Sequence, residues 1–247
     1  MTTPPLDSTA APVKRRGRRA TRTGRRTPII TPIAVYDSHD PQPGDRAALT
    51  TWARAQELRP TLAYRWEVYR TDHLWVRAYE YAAESDGTLI WDTATEHFRL
   101  ATPYDQPLTA FPPDLWMVEL PWGLPLLSAN GRDHYRVRAE YTKTLRTAAA
   151  TAAITAQLPP MPTAHVIAEY RPGHRTRRRD PANWAPSFKA AADGLVDAGV
   201  LHDDDASRMV GPDPRLGPPD PDAVLAEARW GRVVLYVRAR PETADLH

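Results

Sequence analysis

Cysteine is absent from the 247 residues. That excludes a disulfide framework and any thiolate metal site, so a metal here would be held by oxygen or imidazole. Lysine is nearly absent: Lys14, Lys143 and Lys189 stand alone among abundant arginines, the pattern of a GC-rich coding sequence in which arginine replaces lysine. Arginine counts therefore carry little functional weight, and a retained lysine carries more. Asparagine occurs only as Asn130 and Asn183. No stretch approaches the roughly 18 apolar residues that cross a bilayer, and no βα repeat of a TIM barrel is present. The expected compartment is a reducing cytoplasm, with no membrane partner.

Charge is present but unevenly placed. The net charge is +2, yet eight of the 32 Lys and Arg residues lie between Lys14 and Arg26, where no acid occurs. With Asp7 set aside as well, the remainder carries 24 basic against 29 acidic residues, a net of −5. Residues 1–28 are rich in Pro, Thr, Ala and Arg and bury too little apolar surface to offset their ordering entropy, so a disordered basic tail is expected, suited to a polyanion.

Two folded parts are expected after the tail. In 29–112, DRAALTTWARAQEL (Asp45 to Leu58) has helical spacing, and the period then changes: Tyr64, Trp66 and Val68 alternate with Arg65, Glu67 and Tyr69, LWVRAYEYA follows, and Asp86-Gly87 signals a hairpin turn. This reads as a small, mainly antiparallel β meander whose aromatics are core and cross-strand pairs. Its function is not legible. In 113–247 the order is a strand (Met117 to Leu120), a helix from about Asp133, its N-cap, to Gln157, and a strand through Val166, Ala168 and Tyr170. A helix from Pro186 to Ala198, a short strand near Met209-Val210, a proline-rich loop, a strand or turn around Val224 to Ala228 and a final strand Arg232 to Arg240 complete it. The class is α+β, a mixed sheet with helices on one face.

The chemistry concentrates in RRRDPANWAPSFKAAADGLVDAGVLHDDD, Arg177 to Asp205. Its helix buries Phe188, Ala191, Ala192, Leu195 and Val196 and ends at Gly199, leaving Lys189 and Asp193 together on one face. The helix is about 20 Å long, and the extended return reaches back about 17 Å, so Asp203 and Asp204 can approach the residues before it, where Asp180 lies. Clustered carboxylates repel unless a cation intervenes, and magnesium takes such oxygens while keeping positions for water and phosphate.

The run of basic residues, Asp180, Asn183, Lys189-x-x-x-Asp193-x-Leu195, Ala198-Gly199-Val200 and Asp203-Asp204 resembles RusA-type crossover junction endodeoxyribonucleases, the Holliday junction resolvases of bacteriophages and prophages. VELPW at Val118 to Trp122 and the Asn130-Gly131 element extend the resemblance over roughly residues 115 to 240. It implies a RusA-like domain in 113–247 and a Mg²⁺-dependent homodimer that nicks four-way DNA in the cytoplasm of a bacterial or phage-infected cell. It further implies Asp180, Lys189 and Asp204 as catalytic residues and Asp180, Asp203 and Asp204 as metal ligands. Arg177, Arg178, Arg179, Asn183 and Asn130 then contact DNA. The chain departs from the family at Ala182, where a second aspartate is usual, and the interval from Asn183 to Lys189 is three residues longer. The alternative reading is accordingly a catalytically impaired protein that binds branched DNA on the same fold.

Overall fold

The computed structural model describes residues 30–40, 45–174 and 180–241. The expected tail over 1–28 and the arginines Arg177, Arg178 and Arg179 lie outside the described residues. The chain divides into Met1–Ile30 and Thr31–His247, and every element below belongs to the second unit.

The first sheet is built from β1 (Ala34–Asp37), β2 (Ala63–Arg70), β3 (Leu74–Glu80) and β6 (Tyr104–Pro107), in the order β1-β2-β3-β6 and antiparallel throughout. A two-stranded ribbon, β4 (Trp91–Asp92) with β5 (His97–Phe98), projects from it, after the turn that Asp86 and Gly87 make. The α1 helix (Arg46–Ala55) precedes β2, and Asp45 caps it by accepting from the amides of Ala47 and Ala48. The alternation in β2 and β3 sends Trp66, Val68, Val76 and Ala78 into a core while Arg65, Glu67, Trp75 and Arg77 take the other face. Tyr69 and Trp75 are cross-strand partners, with rings stacked at 4.1 Å. Strand β1, unforeseen from the sequence, pairs Tyr36 with Trp66.

The second sheet contains β7 (Leu115–Glu119), β10 (Arg232–Arg240), β8 (Thr163–Arg171) and β9 (Met209–Leu216), in that order. Three strands are antiparallel, and β9 runs parallel to β8, so the sheet is mixed. Its residues alternate in allegiance. Val233, Leu235 and Val237 of β10, with Val166, Ala168 and Tyr170 of β8, lie beneath α2 (Tyr135–Thr155) and α3 (Ala185–Asp197). Val234, Tyr236, Ile167 and Leu115 point the other way and share a core with the first sheet. The boundary expected near residue 113 is thus a packed seam between two sheets of one unit.

That seam also holds charge. Arg171, 7% exposed, donates from Nε to Glu169, 6% exposed, at 2.7 Å and from Nη2 to the Tyr236 hydroxyl at 2.7 Å. Burial is tolerated because each group keeps a partner.

Two expectations need correction and one is narrowed. The strand at Met209-Val210 does not end at the prolines but continues to Leu216. An edge strand uses only one side of its backbone for pairing, and the register shift between His165 and Ile167 takes up Gly211 and Pro212. Of the strand or turn expected around Val224 to Ala228, the turn is present, at Ala226 and Glu227, and it follows a short helix, α4 (Pro221–Leu225), that begins on an Asp220 cap with Pro221 in its first turn. The N-cap of α2 is His134, not Asp133, its Nδ1 accepting from the Arg136 amide at 3.4 Å.

Candidate active site

Past the end of β8, Asp180 opens a 3-10 turn, Pro181–Trp184, that leads directly into α3. Its Oδ1 accepts from the Ala182 amide at 3.0 Å, an ordinary use of an aspartate before a proline. The turn is stitched to the loop before α2. Asn183 accepts through its carbonyl from the Ala129 amide at 2.8 Å and through its side chain from Asn130 Nδ2 at 2.8 Å. One turn on, the fully buried Ser187 hydroxyl accepts from the Leu127 amide at 2.7 Å and donates to the Leu127 carbonyl at 2.9 Å. The only two asparagines of the chain therefore hold each other.

Burial of Phe188, Ala191, Ala192 and Leu195 fixes the rotation of α3 and turns Lys189 outward. Its ammonium pairs with Asp193 Oδ1 at 2.5 Å, one turn along, and with Asp204 Oδ2. Asp204 reaches it because Gly199 ends the helix with a φ of +73°, and Val200 and Leu201 are buried beneath the return. Asp203 Oδ1 accepts from the Asp204 amide at 2.7 Å, and Asp205 accepts from the Ser207 amide at 2.6 Å. Hydrogen bonds from the Ser207 side chain and amide hold the Asp205 carboxyl below the usual aspartate range.

A second cation backs the first. Arg146 of α2 donates to both Asp197 oxygens, at 2.8 and 2.6 Å, and lies 3.8 Å from Asp193. Its hydrogen bonds hold Asp197 below the usual range. Arg146 can do this because the two helices meet at Gly194, where a Cβ would fall 2.5 Å from the Arg146 carbonyl. Cations and carboxylates thus alternate from α2 across α3 to the return: Arg146, Asp193, Lys189, Asp204.

The residues singled out from sequence are placed as follows. Lys189 and Asp204 are in contact, Asp203 is bonded to the Asp204 amide, and Asn130 and Asn183 are bonded to each other. Asp180 is engaged in its own turn. The donors fit magnesium in kind, being carboxylate oxygens. In arrangement they do not yet form a cage: among the described residues no three His, Asp or Glu side chains converge to hold a metal ion, and Lys189 supplies the positive charge beside Asp204.

Arg146 and Ser187 were not foreseen. Nothing in the sequence marks Arg146, since its role depends on where two helices cross. Ser187 carries one weak signal, a polar residue beside Phe188 at the start of a buried stripe. No protein-family model and no curated protein matches this chain.

Proposed function

We propose that the chain is a RusA-type structure-specific endonuclease acting on four-way DNA junctions. The observation that carries this reading is the ion pair of Lys189 with Asp204. These are the residues that the resemblance pairs as essential lysine and acidic ligand, and they arrive from different elements. Lys189 is about half exposed (54%), so a phosphate can reach its ammonium, which would neutralise charge on the scissile phosphate or on the leaving oxygen. The Asn130–Asn183 bridge offers amide groups to a DNA strand, and the resemblance assigns Arg177, Arg178 and Arg179, which lie outside the described residues, to DNA phosphates. Magnesium, when bound by Asp204 with Asp180 and Asp203, would supply Lewis-acid chemistry and an activated water. A homodimer would carry two such sites, one for each nick.

One observation favours a second reading, a branched-DNA-binding protein without cleavage. Ala182 stands where the resemblance calls for a carboxylate, and no three-acid group is formed among the described residues.

The test is a synthetic four-way junction incubated with the purified protein and Mg²⁺. The nuclease reading expects symmetric nicks that vanish in Asp204→Asn. Tight, salt-sensitive junction binding with no nick at any divalent cation concentration would overturn it and leave the second reading standing.

A further inference from the structure

Away from the candidate active site, a cavity of about 210 Å³ opens between α1 and the strands β1 and β2. A space of this size holds one flat ring system and excludes the drug-sized molecules that larger clefts take. Tyr64 and Trp66 give it aromatic walls, Asp37, Ser38 and Thr50 give it polar edges, and Arg46 stands at its side on the first turn of α1. Trp66 is 6% exposed and packs edge-on against Trp52 of α1, 6.2 Å between ring centres. We propose that this cavity binds a nucleotide, either a free nucleoside monophosphate or an unpaired residue of a DNA strand.

Each part of that ligand has a counterpart. Tyr64 is supported by ring contacts with Tyr81 at 5.1 Å and Tyr79 at 6.2 Å, which makes it a rigid surface for a base. Asp37 is held below the usual aspartate range, chiefly by the His39 amide that donates to it at 2.9 Å, and an ionised carboxylate only accepts hydrogen bonds. It therefore favours a base with an exocyclic amino group. Arg46, exposed and donating to the Ser38 carbonyl at 3.3 Å, offers its remaining N–H groups to a phosphate, which the carboxylates inside the cavity would repel. Inorganic phosphate alone would use Arg46 and leave the ring surfaces idle. An apolar ring alone would make no use of Asp37 or Arg46.

The proposal does not depend on the nuclease reading, and its test uses the full chain without cleavage. Isothermal titration with AMP, CMP, UMP, inorganic phosphate and a short single-stranded oligonucleotide separates the alternatives. The amino-bearing AMP and CMP are expected to bind at least about tenfold more tightly than UMP or phosphate. Arg46→Glu, on an exposed helical position, should weaken AMP by about tenfold or more, and Asp37→Asn should erase the preference for AMP over UMP. Arg77→Glu, outside the cavity, should change neither. Tighter binding of the oligonucleotide than of AMP assigns the site to an unpaired strand residue; tighter binding of AMP assigns it to a free nucleotide. Absence of saturable binding by all five, phosphate equal to AMP, or an affinity unmoved by Arg46→Glu in a variant with unchanged circular dichroism would overturn the proposal.

Discussion

Lys189 and Asp204 form an ion pair that joins the exposed face of α3 to the acidic return behind it. The pair is partly solvated, so its contribution to stability is small, about 0–1 kcal/mol. Its value is positional: it holds a cation against the carboxylate that the proposed chemistry needs.

Charge removal at this pair should therefore cost activity and not folding. Asp204→Asn is expected to lower junction cleavage by about 100-fold or more, with the midpoint of urea unfolding almost unmoved. Lys189→Met should do the same. A loss of cleavage that tracks a loss of stability would make the pair structural.

The crossing of α2 and α3 gives a second expectation. A methyl group at Gly194 would lie 2.5 Å from the Arg146 carbonyl and 2.6 Å from Ala149 Cβ, contacts that backbone must relieve by moving. Gly194→Ala should destabilise the fold by about 1–3 kcal/mol, read by chemical denaturation. The same displacement would carry Arg146 away from Asp193 and Asp197, so junction affinity should fall alongside.

The uneven legibility of this chain has a physical cause. Local periodicity fixes what it can reach: RVVLYVRAR is a strand whose alternate residues meet two different cores, and Lys189 and Asp193 were bound to share a face of α3. The end of the helix at Gly199 was legible, whereas the approach expected of Asp204 was to Asp180 and its partner in the structure is Lys189. The continuation of β9 through Pro212 and Pro214 was not, since it depends on the strand being at an edge, which is a property of the whole sheet. Arg146 was hidden for a similar reason. Its partners lie on another helix, and only the Gly194 contact says which turn of α2 faces them. The mutual bond of Asn130 and Asn183 joins two residues that scarcity and the resemblance had both marked.

The seam between the sheets should be sensitive to loss of one charge. Arg171→Met would leave Glu169 buried at 6% exposure without its guanidinium, a change that costs about 3–5 kcal/mol when a buried pair is broken. Replacing both, Arg171→Met with Glu169→Met, should cost markedly less. A double-mutant cycle on unfolding free energies checks this, and additive losses would show that the two residues act separately.

Acid should weaken the first sheet through Glu67. Burial pushes its carboxyl up, but hydrogen bonds from Tyr69, Arg65 and Tyr79 outweigh burial and hold it below the ordinary value, about 4.3 for a glutamate. Its stabilisation is therefore complete above that value and is lost as pH falls through the depressed one. Glu67→Gln should lower stability at neutral pH and flatten the decline in acid, measured as denaturation midpoints from pH 7 to pH 3. A variant whose acid profile keeps the wild-type slope would assign the acid sensitivity to other carboxylates.

Ala182 offers the most direct comparison of the two functional readings. Its amide donates to Asp180 and its side chain is exposed in the 3-10 turn, so an aspartate fits there at a stability cost within about 0.5 kcal/mol. Ala182→Asp places a carboxylate two residues after Asp180, the spacing that the resemblance calls for. If the chain is an impaired relative of the resolvases, the variant should bind Mg²⁺ more tightly by titration and nick a four-way junction that the parent only binds. If the parent already cleaves, the substitution should lower the Mg²⁺ concentration for half-maximal rate and leave the cleavage positions unchanged. Neither a gain in Mg²⁺ affinity nor a change in cleavage would mean that Asp180 and its turn take no part in holding the cation, and the site would then rest on Lys189, Asp193 and Asp204 alone.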